Sequence, residues 1–114
     1  MATSRLTRED GRVVCEHLLV AARPLRRMRG LLGRASLPGD EGILLRPAAS
    51  VHTFFMRFPI DVVFLDRDDV VVGIEPVLAP WRTAGRRGAK AVVELAAGEC
   101  ERRGVAVGDR LVAA

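Results

Sequence analysis

The sequence predicts a mainly β domain, a small β-sandwich or barrel-like fold of six or seven short strands with two short helices. Three observations carry that prediction. The apolar runs are short and rich in Val, Ile and Leu. Gly, Pro and Asp clusters punctuate them. No run is long enough to supply the crossover helices that a parallel α/β sheet needs. The 114 residues, 49% apolar and 28% charged, make one domain large enough to fold without a disulfide or metal staple. That domain is expected over residues 12–114, with residues 1–11 as a flexible N-terminal tail lacking any apolar run.

Arg12 to Ala21 reads as the first strand. Pro24 suits the first turn of a helix, and Leu25, Met28 and Leu32 follow at helical spacing. Arg23, Arg26, Arg27 and Arg34 would form its cationic face. Leu37 to Gly42 is a turn by composition, and Ile43 to Arg46 is a strand stopped by Pro47. Val51 to Met56 reads as a strand ended by Pro59, which has no N–H for a ladder. Ile60 to Leu65 and Val70 to Ile74 form a hairpin around the polar loop Asp66 to Asp69. Glu75 to Gly88 reads as a long loop holding Trp81, and Ala89 to Leu95 as a strand. Gly98 to Arg103 makes a short helix ending at Gly104, and Arg110 to Val112 a last strand.

Two carboxylates stand out because they sit inside apolar strands. In Ile60 to Leu65, Ile60, Val62 and Phe64 share one face and Asp61, Val63 and Leu65 the other, so the strand is expected to be central and covered on both sides. An unpaired buried charge costs several kcal/mol, on the order of its effective desolvation penalty, so Asp61 needs a partner. It is either a structural carboxylate, accepting backbone N–H bonds or pairing with Arg57, or an acid or base in a pocket. Glu94 poses the same question, sharing its face with Val92 and Ala96. Were the two acids to face each other, one would keep its proton at neutral pH. His52 is either a hydrogen-bonded framework residue or half of an acid–base pair with Asp61 or Glu94. Trp81 is either a plug of the core or a contact anchor. His52, Thr53, Met56, Arg57 and Trp81 are the expected ligand-binding residues, and His52, Asp61 and Glu94 the candidate catalytic ones.

The formal charge is +4 and the calculated pI about 10.4. Of the 18 cations only Lys90 is a lysine, and Asn, Gln and Tyr are absent, so the arginine excess reads as composition bias. With few aromatics for base stacking, the chain is not expected to bind nucleic acid. Cys15, His17, His52 and Cys100 lack recognised zinc-ligand spacing, so no metal or other cofactor is expected. No stretch is long and apolar enough for a membrane span. A cytoplasmic location with two reduced cysteines is expected.

The run Val51-His52-Thr53-Phe54-Phe55-Met56-Arg57-Phe58-Pro59-Ile60-Asp61-Val62-Val63-Phe64-Leu65-Asp66 resembles the signature of a bacterial and archaeal family, domain of unknown function 192. Arg29 to Arg34, Glu41 to Leu45, Val93 to Gly98 and Gly108-Asp109 agree with it in order. The resemblance implies a small, mainly β protein with a sandwich-like or barrel-like core and no established activity. Its matched polar positions are His52, Thr53, Asp61, Glu94 and Asp109. Three functional readings follow. One is a β-rich binding or accessory module for a small molecule or protein, with its cleft between residues 52–61 and Trp81. Another is an enzyme using His52, Asp61 and Glu94. The third is a protein-interaction partner of an envelope or secretion system, docking through the arginine face of residues 23–34.

Overall fold

A computed structural model describes residues 4–21 and 34–114. Apart from Arg34, the helix expected over residues 23–34 and its docking face lie outside the described residues. Nine strands and one short helix follow one another along the described chain. They are β1 (Ser4–Arg8), β2 (Val13–Ala21), β3 (Glu41–Leu45), β4 (Ser50–His52), β5 (Ile60–Leu65), β6 (Val71–Leu78), β7 (Thr83–Gly85), β8 (Ala91–Ala96), α1 (Glu99–Arg103) and β9 (Leu111–Ala113). Seven of them form one sheet in the order β6-β5-β8-β3-β2-β1-β9, and β4 pairs with β7 in a separate ribbon. Every pairing is antiparallel except β2 with β3.

The large sheet curls into a half-barrel. Its two edges meet at one end, where Val70 bridges Arg110 and the Val71 N–H donates to the Asp109 carbonyl at 2.8 Å. The barrel-like form of the prediction is the one the chain adopts. The concave face holds Leu6, Val14, Leu18, Val63, Leu65, Val93 and Leu111, and α1 packs over it against β2 and β8. The opposite face holds Ile43, Ile60, Val62, Phe64 and Val92, covered by Val51 of the ribbon and by Met56 and Phe58. β5 lies between β6 and β8 with every residue buried, as the two apolar faces of its sequence require.

Several expectations need correction. Ser4–Arg8, expected within a tail, is a strand hydrogen-bonded on both edges, to β2 and to β9. The strand expected from Val51 to Met56 ends at His52, because the chain turns at Phe54 and Phe55. The expected loop from Glu75 to Gly88 instead extends β6 to Leu78 and contains β7. Pro76 is tolerated there because β6 is the edge of its sheet. α1 ends where expected, with Gly104 in the left-handed conformation at φ 70°.

Candidate functional site

Register separates the two carboxylates. Asp61 stands opposite Leu95, on the concave face, and Val62 stands opposite Glu94, on the other. Paired residues share a face and neighbours along a strand do not, so Asp61 and Glu94 form no dyad. Asp61 is 1% exposed. Its Oδ1 accepts the Val77 N–H at 2.8 Å and its Oδ2 the Cys100 N–H at 2.9 Å. Cys100 is in the first turn of α1, so the carboxylate both joins β5 to β6 and caps the helix with negative charge at its positive end. Of the two structural partners expected for Asp61, backbone amides hold it, and Arg57 is exposed. Glu94 is buried at 2% exposure beneath the ribbon side of the sheet.

Burial and the Asp61 charge push the Cys100 thiol well up, and burial raises Cys15 to about 11. Both thiols are therefore protonated and inert at neutral pH. Among the described residues, no three of His, Cys, Asp and Glu gather as metal ligands.

Thr53 and Met56, expected to meet ligand, are buried. Thr53 is 0% exposed. Its hydroxyl accepts the Arg82 N–H at 2.9 Å and donates to the Ala79 carbonyl at 2.6 Å. Its backbone carbonyl also accepts the Trp81 N–H at 2.9 Å. It thus ties the loop after β4 to the loop before β7, and its polar groups are spent on that join.

The join sets two turns side by side. In Thr53-Phe54-Phe55-Met56 the Met56 N–H returns to the Thr53 carbonyl at 3.2 Å, and Phe55 has φ 67°. In Ala79-Pro80-Trp81-Arg82 the Thr53 hydroxyl sits between the Ala79 carbonyl and the Arg82 N–H, and Trp81 has φ 63°. A positive φ at the third position alone marks type II turns, where glycine is the favoured residue. Both positions carry aromatics instead, and both are open to solvent: Phe55 is 65% exposed and Trp81 54%. Their ring centroids lie 4.6 Å apart at 58°. Phe54 continues the cluster, 5.9 Å from Trp81 and stacked on His52 at 4.9 Å. Trp81 is therefore displayed at the surface, not plugged into the core.

His52 belongs to the ribbon. Val51 points inward, so alternation directs His52 outward, away from the sheet that carries Glu94. Its Nδ1 accepts the Phe54 N–H at 3.3 Å. Beside it runs a cleft of about 690 Å³, lined by Pro47 to His52, by Phe54 and by Thr83 to Gly85 of the paired strand. The structure thus brings His52 and Trp81 together through Phe54, leaves Arg57 exposed nearby in sequence, and keeps Asp61 and Glu94 apart from them. Sequence reasoning missed Phe54 and Phe55. The available signal was a pair of adjacent large rings that breaks period-two alternation just before Met56.

The model of a family described as an uncharacterised ACR, domain of unknown function 192, matches residues 5–113. A UPF0127 protein of Pyrococcus furiosus is 50% identical over 64 residues, covering 55% of this chain and 54% of that protein. The chain thus spans about half the length of that relative. A UPF0127 protein of Thermococcus sibiricus is 30% identical over 111 residues, 93% of this chain and 71% of its own. Among solved structures, a candidate transcription regulator of Sinorhizobium meliloti 1021 superposes with a TM-score of 0.82 at 27% identity, covering 98% of this chain and 94% of its own. A protein of unknown function from Novosphingobium aromaticivorans shares the fold with a TM-score of 0.81 at 24% identity, over 97% and 84%.

Proposed function

The chain belongs to the domain of unknown function 192 family, and from that premise we propose that it is a binding module which seats an apolar or aromatic group in the cleft over the ribbon. The observation that carries this reading is the outward stack of His52 on Phe54 at the end of an apolar, concave surface. Most of the remaining lining is small, with Ala48, Ala49, Ser50, Ala84 and Gly85, so His52 and Phe54 supply its rings. An acid–base role for the same histidine has less support, because Asp61 is held by amides on the far face of the sheet. A cytoplasmic setting is part of the reading, supported by two buried cysteines with free thiols.

The test is titration with 1-anilinonaphthalene-8-sulfonate, an aromatic anion of suitable size. The reading expects saturable binding to the folded protein, weakened at least about tenfold in His52→Ala and Phe54→Ala with melting temperature unchanged, since aromatic contacts contribute about 0.5–1.5 kcal/mol beyond their buried area. Binding that both substitutions leave intact would remove the cleft from consideration.

A further inference from the structure

Resting on the reading of this end of the molecule as a binding surface, we propose that the paired turns carrying Phe55 and Trp81 dock the protein on an anionic lipid surface. The two rings stand at left-handed turn positions that glycine would occupy more easily, and they face solvent. Residues held in strained backbone conformations cluster at functional sites. Val77, also exposed with a positive φ of 48°, lies at the end of β6 that leads into the second turn.

No Asp or Glu occurs in residues 47–60 or 76–93, whereas these stretches hold Arg57, Arg82, Arg86, Arg87 and Lys90. Arg86 pairs with Glu75, and the other four are exposed. Arg82 adjoins Trp81 and Arg57 follows Phe55 by two positions, so cations flank the rings. Arg87 and Lys90 stand beyond the far end of β7. Of the acids that border these stretches, Asp61 is buried and held by amides, Glu94 is buried, and the half-exposed Glu75 is the one paired with Arg86.

These features select the occupant. Two rings offer roughly 300–500 Å², well short of the ~800 Å² that a stable protein partner takes from each side. The rings meet at 58° and so form no pair of parallel platforms for successive bases. An apolar tip with a cationic rim matches the two-part attachment of peripheral proteins, in which rings enter the headgroup region while Arg and Lys attract anionic lipid.

Trp81 is the only tryptophan, so its emission reports the event directly. The experiment titrates the full chain with vesicles of phosphatidylcholine mixed with phosphatidylglycerol, and with phosphatidylcholine alone, alongside co-sedimentation. The expected result is a blue shift and co-sedimentation with the mixed vesicles. Neutral vesicles or ~1 M salt should weaken binding at least about tenfold. Phe55→Ser and the double variant Arg57→Glu, Arg82→Glu should each lose about tenfold with unchanged melting temperature. Phe55→Gly, which relieves its turn, supplies the same test should either variant fold poorly. Failure to bind mixed vesicles, equal binding to neutral ones, or capture of a thymidine oligonucleotide through these residues in place of vesicles would overturn the proposal. Unsubstituted protein that ignores mixed vesicles while the dye still fills its cleft overturns this proposal alone, and unsubstituted protein that binds neither overturns the cleft reading as well.

Discussion

Asp61 illustrates how a single residue can look catalytic in a sequence and be structural in a fold. The need for a partner was legible, because no carboxylate stays bare in an apolar strand. Which partner was not, since the amides of Val77 and Cys100 arrive from 16 and 39 residues away. Asp61→Ala leaves two amides without an acceptor, at roughly 1–3 kcal/mol each, so urea unfolding should show a loss of about 3 kcal/mol. A loss below about 1 kcal/mol would contradict the assignment. Phe55 and Trp81 are the opposite case under the docking proposal, in which local strain serves display. Phe55→Gly should leave stability unchanged or raise it by up to about 1 kcal/mol while vesicle binding falls. That split between melting and binding is the outcome to look for. The two buried thiols make a pH prediction. Burial raises Cys15 from 9.0 to about 11 and moves Cys100 the same way. The folded state keeps these protons where the unfolded chain gives them up. The contribution is therefore complete below about pH 9.0 and is lost as pH rises toward 11. Thermal melts across this range should show the decline, and a thiol reagent at pH 8 should label neither cysteine until the protein unfolds.

At the scale of elements, β5 and its hairpin partner were readable from period-two patterning and a polar loop. α1 was readable from its closing glycine. The β4–β7 ribbon was not, because three-residue strands carry too little pattern to distinguish from a loop. Thr53 holds the chain around this ribbon through contacts to residues 79–82, which sequence spacing does not disclose. Close approach of β3 to its neighbours gives a further prediction. A Cβ on Gly42 would lie 2.8 Å from a Leu95 methyl and 3.2 Å from the Cys15 sulfur. Gly42→Ala should therefore cost about 1–3 kcal/mol by overpacking, measured by denaturant unfolding, although alanine normally favours an extended chain over glycine. An unchanged midpoint would show that the β2–β3–β8 packing has slack.

Across the whole molecule, the half-barrel depends on strands drawn from both ends of the chain. β1 lies between β2 and β9, and β9 meets the start of β6. The mainly β class was legible from short apolar runs, but this closure was not, because Ser4–Arg8 has too few apolar residues to declare itself a strand. Its one deeply buried side chain, Leu6, is contributed to the concave core. Sheet curvature also fixes the division of labour: the concave side is filled by core and α1, and the ribbon side presents the cleft and the displayed rings. In the proposed reading, ligand meets the ribbon side and leaves the Asp61 network alone. The most direct measurement is an amide chemical-shift map during titration with 1-anilinonaphthalene-8-sulfonate. Shifts are expected at Ser50 to His52, Phe54 and Thr83 to Gly85, with the amides of Val77 and Cys100 unmoved. Shifts centred on Val77 and Cys100, with the ribbon silent, would contradict it.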